Sequence, residues 1–134
     1  MSIYGITVLI SIWIGVIVFF SAIIAPTVFK TLYEKSAGVF LRAFFPKYYL
    51  FAIVIGLAAL ALIMIFNIEM SNILYIAIVS MTILSIISRF MIPMINNARD
   101  LGEKWKQKFN RLHALSVSLN VITLVIGLFF IHKV

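Results

Sequence analysis

Residues 109–127, FNRLHALSVSLNVITLVIG, carry the pattern that decides the fold. The small and polar residues of this stretch recur at alternating intervals of three and four positions, between Leu, Val and Ile: His113, Ser116, Asn120, Thr123 and Gly127. That spacing places them along one face of an α-helix. An apolar helix with one polar stripe is typical of a membrane span that turns the stripe towards other helices. We therefore predict a spanning helix over about residues 112–131.

The composition extends this interpretation to the whole chain. Of its 134 residues, 64% are hydrophobic, and the mean hydropathy is +1.19. A soluble domain is about 45–50% apolar, and a chain this short cannot bury such an excess in a core. Three further apolar stretches reach the roughly 20 residues that a span requires: residues 3–27, 47–66 and 73–94. We predict an all-α fold, in which residues 1–134 form one integral membrane four-helix bundle.

Two basic linkers join the predicted spans. Residues 28–46 alternate basic residues with aromatic and aliphatic ones, and residues 95–111 carry five Lys or Arg residues. This mixture is typical of a helix lying at the lipid headgroups. We expect two short interfacial helices on the cytoplasmic side, with Pro46 in the first turn of the second span.

The basic residues also predict the topology and the partners. The turn at residues 67–72 has no Lys or Arg, so the positive-inside rule places both basic linkers in the cytoplasm and both termini outside. We expect a multi-pass protein of the plasma membrane, specifically a bacterial inner membrane, in contact with anionic lipid headgroups. The net charge of +7 then serves the membrane surface, and no nucleic-acid partner is expected. Small-residue helix faces are compatible with a homo-oligomer or a membrane partner protein.

Polar residues converge near the cytoplasmic end of the predicted bundle, where lipid would exclude them. They are candidates for a ligand-binding site: Arg89, Asn96, Arg99, Asp100, His113, Ser116, Asn120 and Trp13.

Several of these residues have structural alternatives. Arg89 can reach lipid phosphate or pair with Asp100. His113 can hydrogen-bond between helices, for instance to Asp100 or Tyr48, ligate a metal or relay protons. Asn120 needs a partner at mid-membrane, for which the candidates are Trp13, Ser11 and Ser85.

Metal and catalytic signals are sparse. Met91 and Met94 are three positions apart, and with His113 they could offer soft ligands to copper. The chain has no cysteine and only four acidic residues, and it lacks the common hydrolase and nucleotide-binding motifs. We predict no catalytic residues, and the sequence favours a protein that is not an enzyme.

Four ordered elements resemble a known family. They are W-x-G with an aromatic pair and then A-P-x-x-F around the first span, F-P-x-Y at the start of the second, P-x-x-N-x-x-R-D from the end of the third, and F-x-x-L-H-x-x-S-x-x-x-N leading into the fourth. The residues are Trp13, Gly15, Phe19, Phe20, Ala25, Pro26, Phe29, Phe45, Pro46, Tyr48, Pro93, Asn96, Arg99, Asp100, Phe109, Leu112, His113, Ser116 and Asn120. The chain resembles the transmembrane-protein-205-like family, a four-span domain of unknown function. That family is distantly similar to copper-resistance D type membrane proteins and to small haem-pathway protoporphyrinogen oxidases.

The resemblance implies either copper handling or porphyrin oxidation with bound haem. The haem-pathway proteins carry a histidine in their first span, and this sequence has none there. We therefore expect a protein that binds or transports a small ligand or metal ion at its cytoplasmic end. The alternatives are a structural or assembly subunit of a membrane complex and a haem-associated oxidoreductase.

Overall fold

The computed structural model describes residues 2–134, and the elements found there are helices. In chain order they are α1 (Ile3–Phe19), a π-helical turn (Phe20–Ile24), α2 (Ala25–Thr31), α3 (Glu34–Ile65), α4 (Asn72–Asp100), a 3-10 turn (Glu103–Trp105) and α5 (Lys106–Lys133). Four helical stretches are long and apolar enough to span a membrane: Ile3–Thr31, Glu34–Ile65, Asn72–Asp100 and Glu103–Lys133. The prediction of an all-α fold with four membrane-length helices is confirmed, and it indicates a multi-pass membrane protein.

The distribution of apolar side chains fits a lipid environment. Val8, Val54, Ile76 and Val125 are 55–60% exposed, and they come from four different helices. A soluble protein rarely shows contiguous apolar surface on every helix. A smaller set of large side chains fills the interior: Ile6, Ile10, Trp13, Ile17, Ile78, Met81 and Phe130. The bundle thus buries one narrow stripe of each helix and presents the rest of its apolar surface outward.

Small residues set how closely the helices approach. Gly56 of α3 lies directly against Thr82 of α4, and a Cβ atom at position 56 would overlap the threonine side chain. A Cβ atom at Gly127 of α5 would lie 2.8 Å from Ile14 Cγ1 and 3.0 Å from Met81 Cε. The small residues therefore allow the helix backbones to approach closely. This close packing holds the helices together in lipid, where the hydrophobic effect does not drive helices to associate.

Residues 28–46 do not form the separate interfacial helix that the sequence predicts. Helix α2 ends at Thr31, and α3 then runs without interruption from Glu34 to Ile65, so Pro46 lies in the helix interior. Leu41 and Phe45 pack against the core, which holds this segment on the bundle. A proline removes only one hydrogen bond of the helix, and the neighbouring helices support the backbone around it.

The second basic linker is also divided between two long helices. Helix α4 continues past Pro93 to Asp100, and α5 begins at Lys106. Between them Gly102 adopts a φ of +78°, a left-handed conformation that glycine tolerates without steric cost. The chain reverses at this glycine, so residues 95–111 form a helix end, a tight turn and a helix start.

Candidate functional site

A cavity of about 900 Å³ opens at the end of the bundle where α2, α3, α4 and α5 meet. Its inner walls are largely apolar and come from all four spans: Phe20, Phe29, Leu41, Phe45, Ile92, Ile95, Val117 and Val121. The charged side chains of the lining belong to the helix ends and form the outer part, and Ser116 and Asn120 add polar groups to the inner walls. The volume lies within the range of about 300–1,000 Å³ that is common for small-molecule sites.

The first span creates the space for this cavity. Helix α1 packs against α3 and α5, whereas α2 contacts chiefly the π turn and α3. The π turn at Phe20–Ile24 ends where α2 begins, and Pro26 lies in the first turn of α2, where its missing N–H removes one backbone hydrogen bond. Since α2 does not continue the packing of α1 on α5, the region between them stays open and is lined by Phe20, Ser21 and Ala25.

An ion pair joins α3 to α4 at the cavity mouth. Arg42 Nη1 donates to Asp100 Oδ2 at 3.0 Å, and Arg42 Nη2 donates to Asp100 Oδ1, so the guanidinium holds both carboxylate oxygens. The side chains are 37% and 58% exposed, in turns beyond the apolar stretches of residues 47–66 and 73–94. The hydrogen bond from Arg42 lowers the pKa of the Asp100 carboxyl below its ordinary value, so this carboxylate is ionised at neutral pH.

Arg99 is next to Asp100 in the sequence but is not part of the ion pair. Its guanidinium would be 3.4 Å from a Cβ atom at position 38, so it packs over Gly38 of α3. The Arg42–Asp100 contact is the one ion pair within residues 2–134, and Arg99 therefore has no carboxylate within 4 Å in that part of the chain. Arg99 thus presents a charged group to the cavity with unused hydrogen-bond donors.

Deeper in the cavity, two tyrosines of α3 hydrogen-bond to the polar stripe of α5. Tyr48 donates to Asn120 Oδ1 at 3.0 Å, and the hydroxyls of Tyr49 and Ser116 are 3.4 Å apart. His113 lies nearer the mouth and stacks on Phe109, with ring centroids 5.8 Å apart. The stripe predicted on α5 therefore faces other helices and the cavity, while Thr123 and Gly127 are buried below it.

The structure brings together five of the eight candidate ligand-binding residues. Those that line the cavity are Asn96, Arg99, His113, Ser116 and Asn120. Asp100 lies next to it as the partner of Arg42. Arg89 lies outside the lining and donates to the backbone carbonyl of Pro46 at 2.6 Å, so the alternative in which it pairs with Asp100 is wrong. Trp13 is in the hydrophobic core with 1% exposure.

The expected neighbours of Asn120 also need correction. Its partner is Tyr48 rather than Trp13, Ser11 or Ser85, because the polar face of α5 meets α3 at this level of the bundle. Tyr48 and Tyr49, which closely follow Pro46 in the sequence, are both buried. Nothing in the sequence around Pro46 indicated that these two tyrosines would hydrogen-bond to α5. Gly38 and the first-span residues of the cavity carry no chemical signal in sequence either.

The predicted metal ligands do not gather at the cavity. His113 lines it, whereas Met91 is buried among the helices and Met94 is 51% exposed, and neither methionine belongs to the lining. No group of three or more His, Asp or Glu side chains suited to a metal occurs within residues 2–134. The polar groups of the cavity are one imidazole, amides, hydroxyls, cationic groups and the two carboxylates of Glu34 and Glu103, and this set lacks the soft sulfur ligands that select monovalent copper.

Comparison with known proteins identifies the family. The family model for a domain of unknown function, DUF4149, matches residues 8–104, which cover most of the first span and all of α3 and α4. No curated protein and no solved structure matches the chain. The cavity residues Asn96 and Arg99 fall within the matched region, and His113, Ser116 and Asn120 lie beyond it. By a match to well over half of its length, the chain belongs to the DUF4149 family.

Proposed function

We propose that this protein binds a small organic ligand in the cavity at the basic end of its membrane bundle. The cavity itself supports the proposal, because it combines the size of a ligand site with an apolar interior and a polar, charged mouth. A bundle that needed polar residues only to lock its helices would have no reason to leave about 900 Å³ unfilled at that point.

The orientation is part of the same proposal. Every Lys and Arg except Lys133 and the intramembrane Arg89 belongs to the cavity end of the bundle or its linkers. The positive-inside rule then places the cavity on the cytoplasmic face of a bacterial inner membrane, with the basic helix ends at anionic headgroups. On this basis, the ends of α3 and α5 form the interfacial layer expected from the sequence.

The likeness to transmembrane-protein-205-like and copper-resistance D type proteins suggests a metal ion as the ligand. Here His113 is the one imidazole in the cavity, and the methionines lie outside it. We therefore favour an organic ligand over copper. Metal analysis of the purified protein checks this choice, since stoichiometric copper that disappears in His113→Ala would reverse it.

A structural role is the second candidate, and it applies to particular residues. The hydrogen bonds Tyr48–Asn120 and Tyr49–Ser116 join α3 to α5. In a purely structural protein, substitutions in these pairs would lower stability or partner association and would affect no ligand.

Retention of a small molecule through purification tests the proposed function. Val121 and Val125 lie on the same helix, but only Val121 lines the cavity. Val121→Trp adds bulk to the cavity wall, and Val125→Trp adds the same bulk at a position that is 59% exposed and outside the lining. Native mass spectrometry of the wild type and the Val125→Trp protein should show a bound small molecule that Val121→Trp lacks. Identical spectra for all three proteins would contradict the proposal.

A further inference from the structure

We infer that the cavity takes an amphiphile with an anionic head and an acyl chain, its head at Arg99 and its chain along the apolar inner walls. The inference rests on the proposed function, since it names the ligand class for the same cavity.

The charges around the cavity are arranged in layers. Glu34, Glu103 and Lys106 form the rim, at the ends of α3, the 3-10 turn and α5. About one to two helical turns inside the rim, the charged lining residues are Arg42 and Arg99, and both are cationic. The carboxylates of the rim face water, which screens their repulsion of an anion. The inner layer is therefore the level at which a negative head would be stabilised.

Of the two inner cations, Arg99 is the one available to a ligand. Asp100 occupies the fork of Arg42 with two hydrogen bonds, whereas no carboxylate within residues 2–134 lies within 4 Å of Arg99. Gly38 leaves room for the guanidinium against α3. A planar guanidinium with free donors binds carboxylate or phosphate oxygens in pairs, which gives both strength and orientation.

The part of the cavity beyond Arg99 suits a hydrocarbon chain. The aromatic and aliphatic side chains there include Phe20 and Phe45 on one side and Ile92 on another. Val117 and Val121 of α5 line the cavity, are 48% and 50% exposed, and belong to the apolar stretch predicted to span the membrane. The inner part of the cavity therefore lies at the depth of the acyl chains. A ligand that comes from the membrane can enter chain first while its head stays near Arg99.

The experiment uses the full chain in a nonionic detergent and native mass spectrometry as the readout. Three probes carry the same palmitoyl chain: monopalmitoyl phosphatidylglycerol, palmitate and uncharged monopalmitoylglycerol. The first stands for a membrane lipid and the second for a free fatty acid. Arg99→Gln removes the proposed head contact, and Arg111→Gln is its control, because Arg111 is exposed and does not line the cavity. Val121→Trp and Val125→Trp test the chain site in the same way.

The wild type and the Arg111→Gln protein should bind the anionic probes about tenfold more tightly than monopalmitoylglycerol, the factor expected for one charge-assisted contact. Arg99→Gln should lose that preference, Arg99→Lys should keep part of it, and Val121→Trp should weaken all three probes. The tighter of the two anionic probes identifies the source, bilayer or free fatty acid, and either result supports the inference.

Equal affinities for charged and uncharged probes would overturn the inference, and so would an unchanged preference in a folded Arg99→Gln protein. If the uncharged probe binds equally well and Val121→Trp abolishes its binding, the ligand class is wrong while the cavity still binds ligands as proposed. Binding that Val121→Trp leaves intact would place the probes on the outer surface and would also overturn the inference. In that case the proposed function would be tested by whether the purified wild type retains a small molecule that Val121→Trp lacks.

Discussion

Tyr48 of α3 donates a hydrogen bond of 3.0 Å to Asn120 of α5, and the two residues are separated by 72 positions in the sequence. The pair lies at the inner end of the cavity, where Tyr48 is buried and Asn120 is part of the lining. Within residues 2–134, every fully buried side-chain nitrogen or oxygen has a hydrogen-bond partner, and this pair contributes to that balance. It shows how polar groups at membrane depth are satisfied by other helices.

Removing the tyrosine hydroxyl should weaken the bundle modestly. Tyr48→Phe should lower the free energy of unfolding by about 1 kcal/mol, the scale of an interhelical hydrogen bond in a membrane protein. Equilibrium unfolding in mixed micelles measures the change. A double-mutant cycle with Asn120→Leu isolates the pair, and its coupling energy should account for most of the loss. Tyr75→Phe, at an exposed position, is the control and should have no effect. A coupling energy of zero would mean that the contact contributes nothing.

The contact of Gly56 with Thr82 predicts a larger effect. Any side chain at position 56 would overlap Thr82, so Gly56→Val should force α3 and α4 apart and cost about 1–3 kcal/mol of unfolding free energy. The matched control is Gly15→Val on α1, where a Cβ atom would have no neighbour within 4 Å among the described residues. The unfolding temperature in detergent should fall for the first variant and stay near that of the wild type for the second. Equal losses would show that helix propensity, not packing, dominates.

The Arg42–Asp100 pair predicts a specific titration. Asp100 is the only aspartate in the chain, so ¹³C-aspartate labelling gives one carboxyl signal. Its pKa in the folded protein should lie below the ordinary value of 3.8, because the hydrogen bond from Arg42 favours the carboxylate. The pair therefore stabilises the fold above pH 3.8, and this contribution is lost as the pH falls through the lower folded-state pKa.

Replacement of the partner provides the check on that titration. Arg42→Gln should return the pKa of Asp100 towards 3.8, and Arg111→Gln should leave it unchanged. An Asp100 pKa that is the same in the wild type and in Arg42→Gln would contradict the ion pair. Because both side chains are more than a third exposed, we expect the effect on overall stability to be small.

The absence of cysteine makes the proposed orientation directly testable. Single cysteines at Lys106 and at Glu69 place one thiol beside the cavity and one in the turn at the opposite end of the bundle. A membrane-impermeant maleimide should label Glu69→Cys in intact cells and Lys106→Cys only after permeabilisation. The reverse pattern would place the cavity outside and would remove the positive-inside argument.

Sequence and structure agree most closely on α5. The recurrence of small and polar residues predicted a helix whose stripe faces its neighbours, and Ser116, Asn120, Thr123 and Gly127 do so. The prediction of two separate interfacial helices was wrong. A basic, amphipathic sequence pattern occurs both on an isolated surface helix and at the end of a long membrane span, so the pattern alone does not distinguish them. Pro46 looked like a helix start, although the flanking residues pack well enough to carry the helix through it.

The sequence by itself determined that this chain forms four apolar helices with basic residues at one end, because length, hydropathy and periodicity are local properties of each segment. Only the tertiary structure decided that Arg42 holds Asp100, that Tyr48 meets Asn120, and that the divergence of α2 from α5 leaves a cavity beside Arg99. Those relationships depend on the rotation and crossing of whole helices. These are set by the fit of many small contacts, such as Gly56 on Thr82, and no single segment encodes them.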